Sequence, residues 1–207
     1  MAVITMPTNI YLGRQAYRQR RFDILEVSEP TGKQSARVFG PPRWGVAFAS
    51  TSPTSMENGR QFEALLMRLR GGVNILAMWD FNKPAPLGTM RGAPTLSGNA
   101  IAGATVLALT GAGVSKTLLA GDWLQVGTGH GTSQLFKVVV DVTLSAGGTG
   151  SVTVEPPVRK QLNTGSVVLW DKPLGYYRMT GQEFAWNAVP GAILTEGYSV
   201  ELLEDFG

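Results

Sequence analysis

Cysteine is absent from this 207-residue chain, which excludes disulfide frameworks, thiolate chemistry and cysteine–zinc sites. Charge is also sparse. Charged residues make up 16 % of the sequence, against about 25 % in an ordinary globular protein. No stretch approaches the roughly 20 consecutive apolar residues that cross a bilayer. Met1 to Ile10 carries no basic region followed by an apolar core, and Pro7 interrupts it, so no signal peptide is expected. These absences lead to the expectation of a soluble protein made in a cytoplasm.

What is abundant is glycine, 26 residues, against a usual level of roughly 7 %. Many turns and few charges predict short strands joined tightly, with surfaces suited to being covered by neighbouring subunits. The small formal charge of +3 is unevenly spread. Residues 1–70 hold ten Lys/Arg and five Asp/Glu, whereas residues 71–207 hold eight and ten. Arg14, Arg18, Arg20 and Arg21 form the densest basic run. A nucleic-acid binder concentrates far more charge, with aromatics interleaved for stacking, so no specific nucleic-acid binding is expected. The split suits subunits that stack, the basic end of one meeting the acidic end of the next.

Along the chain, Arg21–Val27 alternates apolar and polar residues like a half-buried strand, and Pro30-Thr31-Gly32 turns it. Gly40-Pro41-Pro42 is a break, after which Arg43–Ala49 predicts a strand with Trp44, Val46 and Phe48 on one face. One helix is expected over about residues 55–70. Thr54 and Glu57 match a capping box, Phe62, Leu65, Leu66 and Leu69 form one apolar stripe, and Gly71-Gly72 ends it. Val73–Phe81 predicts a further strand, and Pro84–Gly88 a rigid exit.

From about Ala93 to Lys172 strand-like pieces recur at short intervals: Thr105–Thr110, Trp123–Val126, Phe136–Val142, Ser151–Glu155 and Ser166–Trp170. Gly127–Gly131 and Ala146–Gly150 are Gly-rich turns between them, a pattern of a small β-barrel or sandwich. Tyr176–Thr180, Glu183–Asn187 and Tyr198–Glu204 return to strands. The expected fold class is therefore mainly β. Residues 1–92 and 173–207 form a discontinuous, β-sandwich-like host domain with one α-helix, and 93–172 an inserted small β-barrel. Exposed boundaries with few crossing contacts are expected, so the insert should fold alone.

No group of residues meets the requirements of a known chemistry. Thr110–Thr117 holds Thr110 and Ser115 where a phosphate loop needs glycine, and Gly121-Asp122 arrives too soon for the helix that should follow. His130, the only histidine, lies in Gly127-Thr128-Gly129-His130-Gly131 and reads as a turn residue. Asp122, Asp141 and Asp171 flank strands without calcium-loop spacing, and such residues commonly accept turn N–H bonds. Trp123, Trp170, Tyr176 and Tyr177 suit core or interface better than sugar stacking. The expectation is a protein that is not an enzyme, with no catalytic, metal or cofactor-binding residues and no cofactor.

A particular order of pieces carries more information. Gly121-Asp122-Trp123-Leu124-Gln125-Val126-Gly127 is followed by Leu135–Val142, then Gly150–Arg159 with Pro156-Pro157, then Gly165–Val168 and Pro173–Met179. Upstream, Trp44 precedes a helix with Phe62, Glu63 and Leu66, ending in Leu69-Arg70-Gly71. Over roughly residues 40–180 this order resembles tail proteins of long-tailed bacteriophages, similar in role to distal tail proteins. The inserted barrel is similar to insertions in other phage virion proteins. The resemblance implies a structural virion protein at the tail tip, assembled in the host bacterial cytoplasm. It implies a ring of copies, commonly a hexamer, joining the tail tube protein to the tail-tip hub protein, away from any membrane. The rival readings are another tail position, such as a tube-completion or hub-like protein, and a carbohydrate-binding module gripping a host receptor glycan; a hydrolase is a weaker third.

Overall fold

A computed structural model describes residues 1–51, 54–181, 183, 194–195 and 197–207. In chain order the first part holds β1 (Val3–Thr5), β2 (Arg14–Arg20), β3 (Asp23–Val27), β4 (Gln34–Val38), β5 (Arg43–Ala49), β6 (Thr54–Ser55), α1 (Met56–Leu69), a 3₁₀ turn and β7 (Ile75–Met78). Next come β8 (Thr95–Leu96), β9 (Val106–Thr110), β10 (Thr117–Leu118), β11 (Trp123–Val126), β12 (Gln134–Val138), β13 (Val142–Thr143), β14 (Gly150–Glu155) and β15 (Val168–Leu169). The chain closes with β16 (Gly175–Met179), β17 (Leu194–Thr195) and β18 (Ser199–Glu204). Among the described residues the fold is mainly β with one α-helix, and its sheets include a small, nearly closed barrel.

The first and last parts of the chain build one six-stranded sheet in the order β1-β7-β16-β18-β5-β2. Only β1 and β7 are parallel in it. Strand alternation sends Trp44, Val46 and Phe48 of β5 to one face, beside Val200 and Leu202 of β18. The apolar stripe of α1 (Phe62, Leu65, Leu66, Leu69) packs on that same face.

The helix starts one residue later than its capping box predicts. Ser55 is the N-cap, its hydroxyl accepting from the Asn58 backbone N–H at 3.3 Å. Thr54 is paired into a short ladder with Thr195, and its hydroxyl accepts from the Asn58 side chain at 2.8 Å. At the other end, Arg70 takes the left-handed conformation (φ 51°) that closes the helix, ahead of Gly71 and Gly72.

The middle of the chain forms a second sheet, β15-β11-β12-β14-β9-β8. Its two edges meet. A bridge joins Thr95 to Val167, and the Val168 N–H donates to the Pro94 carbonyl at 2.9 Å. Leu107, Leu109, Leu124, Val126, Phe136, Val138, Val152 and Val154 fill its interior. The predicted strand Phe136–Val142 is split, because Val139–Asp141 leave the ladder before β13 pairs with β10. The predicted Val73–Phe81 strand is cut to Ile75–Met78, and Ser166–Trp170 to Val168–Leu169. Of the predicted strand Glu183–Asn187, residues 184–187 lie outside the described residues; Glu183 itself is not in a strand.

The alternating segment Arg21–Val27 departs from expectation. Its strand, β3, pairs only with β4 and is exposed along nearly its whole length rather than half-buried. β2 and β5 pair up to Arg20↔Arg43, and β3 and β4 resume at Asp23↔Val38, so two long strands form one ribbon. Between the two ladders Arg21-Phe22 face the four residues Phe39–Pro42, and the two prolines have no N–H for pairing. The outer half of the ribbon is an arm of five-residue strands, projecting roughly 17 Å at about 3.4 Å per residue.

Candidate functional site

The residues that matter most lie where the barrel meets the sheet. β11 reads Trp-Leu-Gln-Val and is buried at all four positions. Leu124 and Val126 point into the barrel, so Trp123 and Gln125 must point out of it. Outward here means into the sheet's core. Trp123 packs edge-on against Trp44, ring centres 4.8 Å apart, and lies 5.1 Å from the ring of Tyr17. Its indole N–H donates to Asp80 at 3.0 Å, and the Lys137 ammonium stands 4.7 Å from its ring centre. Gln125 accepts from the Leu174 N–H at 2.8 Å. On β12, Leu135 joins the sheet's core, and its carbonyl accepts from the Trp44 indole at 3.1 Å.

A buried ion pair closes the same junction. Arg159, on the barrel side, grips Glu204 of β18 through two bonds of 2.8 and 3.0 Å. Their side chains are only 6 % and 4 % exposed, and Glu204 also accepts from the Trp44 N–H at 2.9 Å. Burial pushes the Glu204 carboxyl upward, and the Arg159 guanidinium pulls it back without cancelling the rise. The Phe206 ring sits between Arg159 and Arg43, with guanidinium carbons 3.8 and 4.6 Å from its centre. Burial also raises the Tyr17 and Tyr177 phenols far above their ordinary value, so both stay neutral. The expectation of few contacts across the barrel's boundaries is therefore overturned: two barrel strands have both faces buried, one in each core.

The sequence candidates are scattered rather than gathered. Asp122 is buried and accepts N–H bonds from Leu87, Gly88 and Leu119, which fastens the exit linker to the barrel. Asp141 accepts from the Ala120 N–H at 2.7 Å, and Asp171 is exposed at a bend. The turn-bonding reading of the first two is what the structure contains. In Thr110–Thr117 no helix follows, and the Ala112 and Ser115 N–H groups donate to the Gly148 and Ser145 carbonyls, so they are not free to wrap a phosphate. His130 lies in a turn and its Nε2 is 3.1 Å from Asp205, which also accepts from Arg178 at 2.7 Å. That cluster is a further tie between barrel and sheet, with the half-buried Tyr176 ring 5.7 Å away. Tyr177 is fully buried, and the half-buried Trp170 donates to the Gly92 carbonyl at 2.9 Å beneath the Arg91 guanidinium. Among the described residues no three His, Asp or Glu side chains gather where they could hold a metal ion.

Among the described residues two exposed surfaces bear on assembly. One is the arm. Its register places Leu25, Val27, Ala36 and Val38 on one face, and Leu25, Val27 and Val38 are 72, 58 and 65 % exposed. The other is the sheet's face opposite α1, where Ala16, Ala47, Ala49 and Ser199 floor a groove of about 360 Å³ flanked by Arg14, Arg18 and Glu201. Arg18 lies over Gly45 and pairs with Glu201 at 3.0 Å. Sequence reasoning missed both surfaces. The alternation at Leu25 and Val27 was a visible signal of an apolar face, but not of what covers it. No helix among the described residues is long and apolar enough to cross a membrane. Compared with known proteins, the chain matches no family model and no curated protein.

Proposed function

We propose that this chain is a structural virion protein of a long-tailed phage, forming a ring at the distal end of the tail tube and joining the tube to the tip or hub proteins. The observation that carries the reading is the arm. An isolated two-stranded ribbon is marginal in water, and this one exposes three large aliphatic side chains on one face. Such a feature suits a subunit whose arm is covered on assembly. The tail-protein order of motifs along residues 40–180 supplies the setting, and six copies are expected.

The junction suits a subunit that must stay rigid within a tail. Two cores share the strands β11 and β12 and are pinned by the Arg159–Glu204 pair, so the barrel and sheet move as a unit. The carbohydrate-binding alternative finds less support. Of the aromatic candidates Trp123 and Tyr177 are buried, and Trp170 and Tyr176 are half-buried beside Arg91 and His130, whereas a glycan groove needs open aromatic faces. The test is a reconstruction of the tail tip of the phage that carries this protein. A closed ring between tube and hub is the expected density; a single copy on a peripheral fibre, or density at the capsid only, would refute the reading.

A further inference from the structure

We propose that a pocket between the barrel, the root of the arm and the segment after β18 binds a small organic oxyanion: a phosphate or carboxylate group on a hydroxylated body of sugar size. This inference is independent of the ring reading above.

The pocket has a volume of about 390 Å³ and takes its walls from three places in the chain. The barrel supplies Gly131, Thr132, Arg159, Lys160 and Gln161; Pro41 comes from the root of the arm, and Phe206 from the segment after β18. Small-molecule sites commonly enclose about 300–1,000 Å³. A bare phosphate would leave most of this space unfilled, so the ligand carries a body as well as a charge.

Donors dominate the lining. The Arg159 side chain is 6 % exposed and gives two of its five guanidinium N–H groups to Glu204; the others meet no acceptor among the described residues. The Lys160 ammonium, at the exposed rim, makes no hydrogen bond or ion pair among them. The backbone N–H groups of Gly131, Thr132, Lys160 and Gln161 likewise find no acceptor there. Gly129 and Gly131 take left-handed φ values of 84° and 78° on either side of His130, a backbone alternation that makes anion-binding concavities.

The charge balance has the same sign. Arg159 and Glu204 cancel, as do Arg178 and Asp205, which leaves Lys160 and Arg43 in surplus. Arg43 lies against the Phe206 ring, and its Nε is buried without an acceptor. The hydroxyls of Thr132 and Ser133 spend their protons on the Thr128 and Gly129 carbonyls. Their lone pairs are left to accept from a ligand hydroxyl, which favours a polyol body. A ligand seated there touches all three segments, so its binding stabilises their union.

The test uses the full-length chain in a buffer free of phosphate and carboxylate. Its melting temperature and amide NMR spectrum are followed against glucose 6-phosphate, glucuronate and glucose, with sodium chloride matched for ionic strength. The expected result is a saturable rise in melting temperature with at least one of the two anions, and shifted amide signals of Gly131, Thr132 and Gln161. Which anion binds more tightly identifies the head group. Lys160→Ala, at an exposed position, should weaken binding about fivefold or more, whereas Lys116→Ala, exposed elsewhere, should leave it unchanged. An equal effect of sodium chloride would reduce the response to screening and overturn the site. An equal response to glucose, no response to either anion, or binding that Lys160→Ala leaves intact would overturn it too.

Discussion

Replacing Trp123 by Ala tests whether barrel and sheet are one folding unit. By chain position Trp123 belongs to the barrel; by packing it belongs to the core of the sheet, against Trp44 and Tyr17. Truncating a buried tryptophan costs about 3–5 kcal/mol through lost transfer energy and the cavity left behind. Asp80 also loses the indole N–H that it accepts. For a chain of this size each kcal/mol lowers the melting temperature by about 2–4 °C, so the expected fall is roughly 6–20 °C. Trp170→Ala is the comparison, because that ring is half-buried at the barrel's mouth and outside the shared core. Its expected loss is about 1 kcal/mol, mainly one hydrogen bond. Differential scanning calorimetry on the wild type and both variants measures the difference. A Trp123→Ala loss below about 1 kcal/mol, or one equal to that of Trp170→Ala, would show that the junction is not packed as described.

Two further perturbations probe the same region. Glu204→Ala leaves Arg159 buried and unpaired, so urea unfolding should show a loss of about 3–5 kcal/mol, while Arg159→Met with Glu204→Leu should recover most of it; a double variant as unstable as the single one would refute the pairing argument. Gly175→Ala would place a Cβ 2.2 Å from the Tyr177 hydroxyl and should cost about 1–3 kcal/mol. Gly98→Ala, where nothing lies within 4 Å, is the control and should be nearly neutral in the same melting assay.

The mainly β class, the single helix and the barrel strands were legible in the sequence because each is a local pattern. Phe62, Leu65, Leu66 and Leu69 repeat at the helical period, and Val152 and Val154 alternate at the strand period. Errors came where local chemistry offered two answers. Thr54 and Ser55 can both cap a helix; the Thr54 hydroxyl accepts from the Asn58 side chain, and the Ser55 hydroxyl accepts from the Asn58 backbone N–H and caps it. Only tertiary structure decided which apolar residues face which partner. Leu25 and Trp123 both sit in alternating strands, yet one is open to solvent and the other is sealed between two aromatic rings. Alternation states that a strand has two faces, not what lies against each. For Trp123 that is a sheet built from segments on either side of the barrel in the chain, whereas Leu25 stays largely exposed among the described residues.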